Sequence, residues 1–171
     1  MLQMTAKAVS RITVLSFGTI VGLGLSTQAF AAEGKYDNTF CFTSKATEVI
    51  EVGGFKAGNF ETHGIRMGAE GDPFRAMAQH CVGQFTIING EQEDTVRCEG
   101  ANAAGDKVFG VATRKFDTAK PGGEGSFRIL GGTGKFAGIS GEGHSKITDV
   151  ISHTPEHISG CAHSWGTYTI K

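Results

Sequence analysis

Ile129-Leu130-Gly131-Gly132-Thr133-Gly134-Lys135-Phe136-Ala137-Gly138-Ile139-Ser140-Gly141-Glu142-Gly143 sets six glycines between two strand-like stretches, with single apolar residues spaced among them. A helix does not tolerate that density, because each interior glycine costs roughly 0.5–1 kcal/mol relative to alanine. A tight turn leading into a strand pressed against neighbouring backbone does tolerate it. The turn lacks a Gly-Lys-Ser/Thr ending and a following helical pattern, so it is not a phosphate-binding loop.

Outward from this turn the same grammar repeats. Strand-like segments cover Asn38–Val52, Gly58–Met67, His80–Ile88, Glu91–Gly100, Lys107–Lys115, Gly125–Leu130, Ile139–Val150 and Cys161–Lys171. Turn signals separate them: Gly53-Gly54, Asn89-Gly90, Ala104-Gly105-Asp106 and Pro121-Gly122-Gly123. No segment after residue 31 holds a helical period. Eight short strands with glycine turns predict an all-β sandwich or an up-and-down barrel. Two stretches read as long connections, Gly68–Gln79 and Ser152–Ser159, and the first is long enough to lie across one end of a barrel.

The N-terminus reads as an export signal. Lys7 and Arg11 precede a 13-residue apolar run, Thr13–Leu25, and Ala29-Phe30-Ala31 forms an A-x-A cleavage site. Spanning a bilayer takes about 20 residues, so the run is a signal peptide, residues 1–31, rather than an anchor. Residues 32–171 then form one domain, localised to the periplasm or secreted. They carry 14 Lys and Arg against 17 acids, a formal net charge of −3. No basic run marks a nucleic-acid or anionic-lipid surface, and no second apolar stretch predicts membrane insertion.

Four cysteines in an exported chain point to two disulfides. The Asn89-Gly90 pair between extended runs signals a two-residue type I′ hairpin, in which paired positions sum to 179. Position 81 then faces position 98 on a non-hydrogen-bonded pair, whose Cα separation of about 4.5 Å suits a disulfide. The prediction is Cys81–Cys98 and, by elimination, Cys41–Cys161. The second bridge joins the first strand to the last.

The segment Gly131–Gly141 resembles the Gly-Thr-Gly-x-Phe/Tyr-x-Gly-x-x-Gly signature of allene oxide cyclase-like barrels, to which the dirigent proteins are related in fold. The ending Trp165-Gly166-Thr167-Tyr168-Thr169-Ile170 is similar to the closing strand of small exported bacterial members of that group. The resemblance implies a single eight-stranded antiparallel β-barrel with an apolar lumen, and so favours the barrel over the sandwich. Members hold reactive hydrophobic small molecules and steer their cyclisation or coupling largely by shape, and they often form dimers or trimers. The export signal and disulfides depart from the plant cyclases, and no catalytic residue carries over position by position.

Phe40, Phe42, Ala46 and Ile50 alternate along the first strand and are expected to line the lumen, with Phe40, Phe42 and Ile50 as ligand contacts. Glu48 shares their parity. A carboxylate in an apolar barrel has a raised pKa suited to acid–base work, which makes Glu48 the candidate catalytic residue; a bulge near it would instead leave it at the rim. His63 and Arg66 have opposite parity, so at most one points inward. His144, His153, His157 and His163 cluster in sequence, but Pro155 breaks the His-x3-His spacing and no free thiolate remains. No metal or cofactor is therefore expected. Three functional readings follow, in order: an exported barrel binding a small hydrophobic ligand, a cofactor-free isomerase or cyclase working in the lumen, and a structural or protein-binding module of the cell envelope.

Overall fold

Each strand finds its partner in the next one along the chain, and the last returns to the first. The computed structural model describes residues 32–171 apart from Pro121 and Pro155; the signal peptide assigned to residues 1–31 lies outside them. The strands are β1 (Ala32–Val52), β2 (Phe55–Gly68), β3 (Ala78–Ile88), β4 (Glu91–Ala101), β5 (Lys107–Asp117), β6 (Glu124–Gly132), β7 (Ile139–Thr154) and β8 (His157–Ile170). All neighbours are antiparallel and the sheet closes as an eight-stranded barrel. No helix among the described residues is long and apolar enough to cross a membrane.

Both expected disulfides are present. In the β3–β4 hairpin Asn89 and Gly90 have φ of 53° and 81°, as a type I′ turn requires. Cys81 stands opposite Cys98 with Cα atoms 4.1 Å apart. Cys41 stands opposite Cys161, 4.0 Å apart, on the seam where β1 meets β8.

The glycine-rich turn closes one end of the barrel. A short 3₁₀ turn, Gly134–Phe136, follows β6 and folds Phe136 inward to 2 % exposure. Thr133 ties it to β5, its N–H donating to the Lys107 carbonyl and its Oγ1 accepting from the Lys107 N–H. Gly138 has φ of 79°, and a Cβ there would meet the Lys171 carbonyl at 2.5 Å, so a side chain is excluded twice over.

The β2–β3 connection completes the plug. Phe74 and Met77 pack with Tyr36, Val108, Ile129, Phe136 and Ile139 into a core at this end. Asp72 pins the loop by accepting from the backbone N–H groups of Asp37 and Phe74 and from the Asn38 amide. The loop is shorter than Gly68–Gln79, because Ala78 and Gln79 already belong to β3. Ser152–Ser159 is no long connection at all: β7 and β8 pair out to Thr154 and His157. Likewise β1 starts at Ala32 rather than Asn38, because β8 offers partners from Ile170 onward. The start of β1 carries no local signal because its partner, β8, lies at the far end of the chain.

Tyr36 in this core has a buried hydroxyl without a hydrogen-bond partner among the described residues. Burial raises its pKa, with the Arg66 charge acting in the opposite sense. Replacing Tyr36 with phenylalanine removes an unsatisfied polar atom and keeps the ring, so stability should stay within about 0.5 kcal/mol of the parent or rise. Urea denaturation reads this directly; a loss above about 1 kcal/mol would reveal a hydroxyl partner.

Candidate functional site

The plug leaves the rest of the barrel interior open. Above it, toward the β1–β2, β3–β4 and β7–β8 hairpins, lies a cavity of about 340 Å³ open at that end. This is within the size range of small-molecule sites. Its wall is built from every second residue of each strand, as strand alternation requires. Phe40, Phe42, Phe60, Phe85, Phe116 and Phe127 supply aromatic surface, and Val96, Ile147 and Ala162 supply aliphatic surface. The Cys81–Cys98 bridge also faces inward.

The rings leave the centre open because glycines lie beneath them. Gly83 is the β3 partner of Phe60, and a Cβ at Gly83 would overlap the Phe60 ring. A Cβ at Gly110 on β5, the partner of Ile129, would likewise overlap the Phe127 ring. Each ring therefore lies along the wall instead of projecting toward the axis.

Five charged residues line the cavity: Lys56 and Glu156 at the open end, near the β1–β2 and β7–β8 hairpins, and Arg66, Asp94 and Arg114 deeper in the wall. Arg66 is 8 % exposed and forms the floor, between cavity and plug. Its Nε donates to Gln79 Oε1 at 2.6 Å and its Nη1 to Asn38 Oδ1 at 2.7 Å. The guanidinium packs against Phe40 and Phe127, 5.6 and 5.5 Å from their centroids. Burial lowers its pKa to about 10, partly offset by Tyr36 and Asp72, so it keeps its charge at neutral pH. Among the described residues no carboxylate bonds to it directly; Asp72 acts through Asn38. The guanidinium's hydrogen bonds run through Nε and Nη1. Higher in the wall, Arg114 Nε donates to Asp94 Oδ1 at 2.9 Å, with the side chains 16 % and 2 % exposed. Cross-strand pairing of β4 with β5 sets these two opposite each other.

Phe40 and Phe42 line the cavity, stacked with centroids 5.6 Å apart. Two expectations for β1 need correction. The strand bulges between Thr47 and Ile50, where Glu48 adopts φ of 52°. The extra residue inverts the alternation, so Val49 faces the mouth while Ile50 is 63 % exposed and points away. Glu48 is exposed at the rim, outside the apolar lumen, and accepts a hydrogen bond from Asn59 at 2.7 Å. Of the pair with opposite parity on β2, Arg66 points in and His63 points out.

The C-terminal histidines do not converge. His144 and His163 each stack on Trp165, His163 bonds Asp37, and His153 and His157 bond Ser159 and Thr154. The sequence left open whether His63 or Arg66 points inward, and it did not mark Asp94 or Arg114 as lumen residues. Shared parity with Phe60 was the one available signal for Arg66. Asp94 and Arg114 look like ordinary surface charges until the hairpin register is combined with the inward face.

Neither a protein-family model nor a curated protein matches this sequence. Among solved structures the chain is similar to the pterocarpan synthase dirigent protein GePTS1, at 16% identity over 83% of this chain and 94% of that one, with a TM-score of 0.49.

Proposed function

We propose that the protein is an exported member of the allene oxide cyclase-like barrels that binds a small amphipathic ligand in its lumen, with no assigned reaction. The apolar body of the ligand packs among the phenylalanines, and an anionic or strongly accepting oxygen reaches Arg66. The observation that carries this reading is the buried Arg66 guanidinium at the floor of an open, aromatic-lined cavity. A desolvated cation without a carboxylate partner favours an anionic oxygen supplied from outside. The export signal and the two disulfides support an oxidising compartment. A cofactor-free isomerase or cyclase is the second reading, favoured by the buried Asp94 in the wall. Its carboxylate is already engaged by Arg114, so it is poorly placed to exchange a proton with substrate.

The test uses 1-anilinonaphthalene-8-sulfonate, an aromatic anion, beside an uncharged naphthalene probe. Both should bind, the anion more tightly. Arg66→Met should weaken the anion by about tenfold or more and change the neutral probe little, given about 1.5–3 kcal/mol for a charge-assisted bond. Ala112→Phe, which fills the lumen while leaving Arg66 in place, should abolish both. Binding that survives Ala112→Phe unchanged would overturn a lumenal site.

A further inference from the structure

On the outer wall, β2 and β3 carry a donor set that the lumen does not use. Glu61 and His63 stand two residues apart on β2 and so project from the same, outward face. His80 on β3 is the direct cross-strand partner of His63. The two imidazoles stack with centroids 4.5 Å apart and planes 8° apart. Both Nε2 atoms turn to the same carboxylate oxygen, Glu61 Oε1, at 3.3 Å from His63 and 2.7 Å from His80. The three donor atoms all lie within 4.8 Å of one another.

A tetrahedral ion with ligands at about 2.0–2.1 Å holds its donor atoms roughly 3.3 Å apart. The His63 distance to Glu61, 3.3 Å, already matches that spacing and the His80 distance, 2.7 Å, is shorter, so side-chain rotation closes the tripod without moving backbone. The frame is stiff, because β2 and β3 are each paired on both sides in a closed sheet. We propose that Glu61, His63 and His80 form a surface site for a borderline divalent first-row ion, zinc(II) or copper(II), with the fourth position open to water. Two imidazoles and one carboxylate suit such ions and disfavour magnesium and calcium, which call for oxygen-only sets.

The surroundings set the strength. All three side chains are exposed, and among the described residues the rings are held only through Nε2, by Glu61. Lys45 pairs with Glu61 across β1–β2 and Arg97 pairs with Val82 beside it, placing two cations nearby. Glu99, the β4 partner of His80, offsets them in part but is held by Lys107 at 2.8 Å. The affinity is therefore micromolar in order, not that of a closed site with a full supporting shell. A bound ion would clip β2 to β3 on the outside, opposite the wall that holds Arg66 and Gln79.

Isothermal titration of the untagged protein with zinc(II) and with copper(II), followed by imidazole nitrogen shifts, tests this. One equivalent should bind, shifting the Nε2 signals of His63 and His80 and raising the thermal midpoint. His63→Ala and His80→Ala should each weaken binding by at least about tenfold and cancel the thermal shift, while Glu61→Gln weakens it less. These side chains are exposed, so the variants keep the fold, checked by circular dichroism. No binding below about 1 mM, or binding retained in the His63→Ala/His80→Ala double variant, would overturn the proposal.

Discussion

Replacing Cys41 and Cys161 together with serine is expected to lower the unfolding free energy by about 4–5 kcal/mol. The bridge spans 120 residues and joins the first strand to the last. Without it, the unfolded chain regains nearly all of its end-to-end freedom, and the β1–β8 seam must close from the most distant sequence separation in the barrel. The corresponding change at Cys81 and Cys98 removes a 17-residue loop across a hairpin and should cost about 3 kcal/mol. Urea unfolding of the two double variants separates them. Equal losses, or a loss under about 1 kcal/mol at the seam, would mean that strand pairing holds the barrel shut unaided. The order also bears on reduction. Cys81 is 2 % exposed on the lumenal side, so a small thiol reagent should open the seam bridge first.

The second large effect is at Asp94. Replacing it with alanine strands the Arg114 guanidinium in a wall where that side chain is only 16 % exposed. Breaking a buried pair typically costs about 3–5 kcal/mol; the lower end applies here, because Arg114 reaches partly toward the open mouth. The paired replacement Asp94→Leu/Arg114→Met should recover most of that loss, since neither charge is left alone. A double-mutant cycle in urea measures the coupling, and simple additivity would show that the pair does not act as a unit. The same alanine variant has a functional readout. A second unpaired cation in the lumen should tighten the anionic naphthalene probe while leaving the neutral one unaffected. Tightening of both would point to a change in cavity shape instead of charge.

The two predictions draw on different levels of legibility. Cys81–Cys98 could be read from the chain because Asn89-Gly90 dictates one register, and eight further pairs follow from it without tertiary information. The seam bridge followed only by elimination. Ile50 was misplaced because strict alternation was carried through a bulge, and one inserted residue exchanges the two faces of everything beyond it; for Glu48 the sequence left both the lumen and a bulge at the rim open. Nothing local marks that bulge, since Glu48 is neither glycine nor asparagine, the residues that most often signal a positive φ. The donor set on β2 and β3 was missed for a related reason. Its residues come from strands joined by a plugging loop, whose length leaves the register unset.

By itself the sequence determined what turn chemistry and alternation can carry. It specified eight strands in order, the β3–β4 register with its disulfide, and the glycine-rich turn that caps one end. These are contacts between neighbours along the chain, where geometry propagates residue by residue. Beyond the Phe40–Phe42 face of β1, only the tertiary structure decided which face is inside. It turned Arg66 into the lumen and His63 out, set Asp94 against Arg114 in an apolar wall, and brought Glu61, His63 and His80 to one point. Parity within a strand is relative. It becomes an inside and an outside only when β8 returns to β1 and the sheet closes on itself.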